Sequence, residues 1–92
     1  MIRTVKGLAT QNFIDLGVSD FPGMNLDVAR QRLNELDAAP SIAALAALQG
    51  IRLRRLRGKM RGYWAMDVNA GCRILFRFLD GSAYDVHILE PI

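Results

Sequence analysis

Ninety-two residues, 51% of them hydrophobic, suffice for one buried core but not two, so a single domain over residues 1–92 that folds without staples is expected. The lone cysteine, Cys72, excludes an internal disulfide. With no leader-like start and no long apolar run, the expectation is a cytoplasmic protein that does not meet the membrane. The formal charge of +3 is divided unevenly: residues 1–50 carry four basic and five acidic side chains, residues 51–92 eight and four.

In chain order, Ile2-Arg3-Thr4-Val5-Lys6 alternates apolar and polar and reads as a short edge strand closed by Gly7. A weak helix over about Thr10 to Leu16 stops at Gly17, and Phe21-Pro22-Gly23 is loop chemistry. Asn25 then caps an amphipathic helix whose stripe is Leu26, Ala29, Leu33 and Leu36, with Arg30, Gln31, Arg32, Asn34 and Glu35 expected to face out. After Pro40, Ser41 caps a second short helix with Ile42, Leu45 and Leu48 on one stripe, ending near Gly50.

From Ile51 the pattern changes to strands. Asn69-Ala70-Gly71 suits a three-residue hairpin loop of the type I turn plus bulge, with Gly71 left-handed; Val68 then pairs with Cys72, Met66 with Ile74, Trp64 with Phe76, Asp67 with Arg73 and Tyr63 with Arg77. For the turn at Asp80-Gly81 an odd-numbered loop is expected, either Leu79-Asp80-Gly81 or Asp80-Gly81-Ser82, because it sets Ile74, Phe76 and Phe78 beside Tyr84, Val86 and Ile88, whereas an even loop inverts one strand. Helices followed by antiparallel strands give an α+β architecture, with helices on one face of a twisted sheet and an open basic face opposite, gathering Arg73, Leu75, Arg77, Asp67, Asp85 and His87.

One His and one Cys give no zinc-type spacing, so no metal site and no cofactor are expected, and no glycine loop has a phosphate-cradling context. The chemistry that remains is cationic. Arg52, Arg54, Arg55, Arg57, Lys59 and Arg61 form a run without an acid, which attracts polyanions by releasing their counterions. The plainer reading is a solvated basic loop. Arg73, at mid-strand, suits bidentate phosphate binding; otherwise it pairs across the strands with Asp67. Arg77 has the same two readings, with Asp85 or Tyr63 as neighbour. His87 is the only side chain whose ordinary pKa suits proton transfer near neutrality, and one of the two odd registers sets it directly opposite Arg73. Tyr63 is the candidate for stacking on a base, Trp64 being expected in the core.

Leu53, Leu56-Arg57-Gly58, Gly62-Tyr63-Trp64, Arg73-Ile74 with Phe76, Asp80-Gly81 and Ala83-Tyr84, with Met1-Ile2-Arg3 and the Leu36-Asp37-Ala38-Ala39 helix end, together resemble the killer, or HigB-type, toxins of the RelE/ParE superfamily. The resemblance covers essentially the whole chain. It implies the RelE-like fold and the toxin of a type II toxin–antitoxin module: a metal-independent endoribonuclease that enters the ribosomal A site, cuts mRNA and is silenced by a helix-turn-helix antitoxin. By the same resemblance Arg57 and Arg73 are catalytic cations; beside it, His87 is expected as a substitute proton-transfer group, and the charge pattern leaves Arg52, Arg54, Arg55, Lys59, Arg61, Tyr63 and Arg77 to hold RNA. Three departures stand out. Arg54 replaces a frequent family histidine, Asp67 falls where the family is often basic or neutral, and the chain ends Glu90-Pro91-Ile92 where the family typically ends Asp-Tyr-His. Two other readings follow: a weakened or inactive binding protein that docks antitoxin or ribosomal RNA, and a gyrase-directed toxin of the ParE branch.

Overall fold

The computed structural model describes residues 1–91, in the order α1 (Leu8–Leu16), α2 (Leu26–Ala38), α3 (Ile42–Ala46), β1 (Arg54–Arg55), a 3-10 turn (Gly58–Met60), β2 (Trp64–Asp67), β3 (Arg73–Leu79) and β4 (Ser82–Leu89). The strands form one antiparallel sheet in the order β1-β2-β3-β4. Helices and sheet share a single large core, so the α+β expectation holds.

Capping sets the helix starts as the sequence indicates. The Val28 amide donates to Asn25 Oδ1 (3.1 Å) at the head of α2, and the Ala44 amide donates to Ser41 Oγ (3.0 Å) at the head of α3. The α2 stripe buries Ala29, Leu33 and Leu36, which meet Phe13 of α1, Leu45 of α3 and the sheet residues Met66, Ile74, Phe76, Ala83, Val86 and Ile88. Helix α3 is shorter than its apolar stripe suggests: it ends at Ala46, and Leu48 is exposed. Arg32 also departs from expectation. It is buried rather than solvated, with Nη1 2.7 Å from Glu35 Oε1 and Nε donating to the Asp67 carbonyl at 3.4 Å, so a polar side chain ties α2 to β2.

The β2–β3 pairing follows the predicted register, Trp64 opposite Phe76, Met66 opposite Ile74 and Asp67 opposite Arg73. Its turn differs in type. Ala70 (φ 50°) and Gly71 (φ 81°) are both left-handed, which is the primed geometry that matches strand twist, inside the expected odd spacing from Val68 to Cys72.

The β3–β4 turn overturns the odd-loop expectation. Asp80 (φ 50°) and Gly81 (φ 79°) make a two-residue loop, pairing Leu79 with Ser82, Phe78 with Ala83 and Arg77 with Tyr84. The register is then restored by a bulge between Leu75 and Arg77, where Asp85 adopts φ 52°, after which Leu75 faces His87 and Ile74 faces Ile88. An even loop is compatible with two apolar strand faces because one extra residue resets the alternation. The N-terminal segment pairs with β4 through two isolated parallel bridges, Ile2 with Ala83 and Val5 with Val86, rather than as a continuous strand; between them the Asp85 amide donates to Thr4 Oγ1 (2.7 Å).

The sheet face opposite the helices is not bare. Leu56 and Met60, from the loop between β1 and β2, pack on Tyr63, Ala65 and Leu75, leaving Leu75 only 1% and Tyr63 8% exposed. A second, small apolar cluster therefore covers the middle of the face expected to be open.

Candidate anion-binding cleft

The basic residues divide according to strand alternation and loop position. Arg54 lies opposite Ala65, on the face away from the helices, and Arg55 lies opposite Trp64, on the helix side, where its guanidinium sits 5.6 Å from the indole centre. Arg57, Lys59 and Arg61 follow on the exposed loop. Arg52, Arg54 and Arg73 converge on a cleft of about 520 Å³, completed by Gly50, Asp67 and the turn residues 68–72.

Asp67 is at the centre of that cleft. Its Oδ1 lies 3.0 Å from Arg54 Nη2 and its Oδ2 3.5 Å from Arg52 Nε. The predicted Asp67–Arg73 partnership exists in the backbone register alone; among the described residues Arg73 has no ion pair. Three arginines and one aspartate line the cleft, so its lining is net positive and suited to an oxyanion. Arg52 reaches it from a left-handed backbone (φ 52°). Cys72 lines the same cleft but is buried; burial pushes its thiol up from the ordinary range, and the nearby Glu90 carboxylate adds in the same direction, so it stays a protonated, inert thiol. Glu90 and Pro91 are exposed, and Pro91 lies so close to Gly71 that a β-carbon there would meet its ring at 2.9 Å. The departure at Ile92 lies outside the described residues.

His87, Tyr63 and Arg77 form a second group. The Arg77 guanidinium lies 4.9 Å from the Tyr63 ring centre and 3.9 Å from Asp85 Oδ2, and His87 meets Tyr63 edge-on at 5.6 Å. Nδ1 of His87 is 2.9 Å from the Asp85 carbonyl, which only accepts, so Nδ1 carries a proton and Nε2 is the acceptor of the neutral ring. His87 faces Leu75 rather than Arg73. It is therefore the diagonal neighbour of Arg73 on the same face, a separation of about 7–8 Å in an antiparallel pair. The burial of Tyr63 removes it as a platform for a stacked base. Lys6, 6.0 Å from the Tyr63 ring, went unread as a site residue; only the docking of the N-terminal segment on β4 brings it there.

No group of three or more His, Cys, Asp or Glu side chains among the described residues is arranged to hold a metal, and no helix is long and apolar enough to cross a membrane.

Fold and cleft define a small α+β domain with an arginine-lined cleft built across β1, β2 and β3. The chain belongs to the HigB-like family of RelE-like toxins of type II toxin–antitoxin systems, whose family model matches residues 11–90. It is 35% identical over 85 residues to the Endoribonuclease HigB of Proteus vulgaris, covering 91% of each chain. It is also 33% identical over 61 residues to Toxin HigB-1 of Vibrio cholerae serotype O1, covering 66% of this chain and 63% of that one. As the toxin of such a system, it has an antitoxin as partner.

Proposed function

We propose that this toxin is an endoribonuclease that cuts mRNA on the ribosome without a metal ion and is neutralised by a helix-turn-helix antitoxin in the cytoplasm. The observation that carries this reading is the convergence of Arg52, Arg54 and Arg73 on one cleft in a chain similar to a named endoribonuclease. Arg73 makes no ion pair among the described residues and is the cation best placed to grip a scissile phosphate. When the ribose 2′-oxygen attacks phosphorus, negative charge grows on the non-bridging oxygens; Arg73 stabilises it, and Arg57, on the exposed loop outside the cleft lining, is the second cation assigned to that charge. Nε2 of His87 takes the 2′-hydroxyl proton as the O2′–P bond forms and the P–O5′ bond breaks, leaving a 2′,3′-cyclic phosphate, while the departing 5′-oxygen takes its proton from water. Arg52, Arg54, Arg55, Lys59, Arg61 and Arg77 hold the flanking backbone by charge.

The test is primer extension on an mRNA incubated with purified protein, with and without programmed ribosomes. Cleavage is expected only with ribosomes, and Arg73→Ala is expected to lower its rate about a hundredfold or more, as for the loss of one preorganised charge-stabilising donor. Equal cleavage on free mRNA contradicts ribosome dependence.

A second reading, a binding protein with little or no turnover, draws on the engagement of both Arg52 and Arg54 by Asp67. It predicts salt-sensitive binding of ribosomal RNA or antitoxin, and no cut at any protein concentration.

A further inference from the structure

We propose that the Asp67 carboxylate is an internal stand-in for an RNA phosphate: it occupies Arg52 and Arg54 and must be displaced before a phosphodiester binds between Arg52, Arg54 and Arg73. The inference rests on the RNA-cutting reading above and deepens it by assigning the phosphate subsite and its competitor.

The argument begins with placement. Asp67 is on β2, between the β1 side that supplies Arg52 and Arg54 and the β3 residue Arg73, its direct cross-strand partner. Its two oxygens are divided, one on each β1-side arginine, at 3.0 and 3.5 Å. A carboxylate and a phosphodiester present the same pair of acceptor oxygens to guanidinium donors, so the two compete for one set of hydrogen bonds.

The fold does not depend on that side chain. Besides the two arginine pairs, residue 67 is tied in through its backbone, whose amide donates to the Ile51 carbonyl (2.9 Å) and whose carbonyl accepts from Arg32 Nε (3.4 Å). The carboxylate is 28% exposed and its arginine partners 44% and 76%, so the pairs contribute little stability and are loose enough to exchange. The cleft thus keeps a removable anion in place, where an incoming phosphate gains only the difference between its own contacts and those of Asp67.

The experiment compares wild type with Asp67→Asn, an isosteric change that keeps the backbone links, by fluorescence anisotropy with a short single-stranded RNA made uncleavable by 2′-O-methylation. Asp67→Asn is expected to bind roughly three- to tenfold more tightly at low salt, the range set by two partly exposed ion pairs. In an Arg54→Ala background the gain is expected to shrink, because one of the contested donors is gone. Equal or weaker binding by Asp67→Asn overturns the inference and makes Asp67 a residue that orients the arginines. An undiminished gain in the Arg54→Ala background also overturns it, since the effect is then one of overall charge. Wild-type ribosome-dependent cleavage is measured alongside. If it is intact while Asp67→Asn gains nothing, the inference alone falls; if cleavage and RNA binding are both missing from folded protein, the functional reading falls too.

Discussion

His87 is bound by its Nδ1 proton to the carbonyl of Asp85, a residue of the bulge, so the orientation of the ring depends on an irregularity of the strand. The backbone carbonyl thereby selects the tautomer and leaves Nε2 as the acceptor of the neutral ring. In ribosome-dependent cleavage His87→Ala is expected to reduce the rate about a hundredfold or more while binding of uncleavable RNA stays within about twofold. An unchanged rate in primer extension removes His87 from the chemistry and leaves charge stabilisation by the arginines. Among the arginines themselves, single-residue environment separates types that look alike in sequence. Arg32 is locked against Glu35, Arg55 lies on Trp64, Arg54 and Arg52 grip Asp67, and Arg73 makes no ion pair among the described residues.

At the scale of elements, the chain is organised around β4. Its Ile88 amide donates to Thr10 Oγ1 of α1 at 2.9 Å in a buried setting, so a helix hydroxyl takes the place of a strand partner on the sheet's far side. Thr10→Val keeps the shape and leaves that amide without an acceptor. A loss of about 1–3 kcal/mol is expected, the cost of an unsatisfied buried donor, measured by urea unfolding monitored through Trp64 fluorescence. Helix caps and the β2–β3 register were legible because each depends on neighbouring residues: Asn25 three positions before Val28, and Gly71 in the turn. The β3–β4 register was not. It depends on Asp85 adopting a left-handed conformation, and an Asp in a strand gives no local sign that it will do so.

For the whole molecule, helices and sheet meet in one apolar layer in which Leu36 of α2 is 0% exposed. Leu36→Ala is expected to cost about 2–5 kcal/mol, with a lower urea midpoint and an unchanged m-value, since a cavity is left without any change in the surface exposed on unfolding. Arg54, Asp67 and Arg73 lie on the sheet face away from this layer, where the loop from Leu56 to Met60 folds back on Tyr63 and Leu75. That loop accounts for the largest misreading of the site. Alternation alone assigns Tyr63 and Leu75 to a solvent-facing row, but two apolar side chains from a loop without regular strand structure cover them, and Tyr63 is withdrawn from any role in stacking.

The sequence by itself determined the α+β class, the three helices, the hairpin pairing Asp67 with Arg73, and the family, because these rest on periodicity, capping and motifs carried by contiguous residues. Tertiary structure alone decided which arginines share a cleft, that Asp67 takes Arg52 and Arg54 rather than Arg73, and that His87 stands diagonal to Arg73. The reason is physical: those outcomes depend on strand order, on one bulge and on a loop folding over a sheet face, and each is set by packing between segments far apart in the chain.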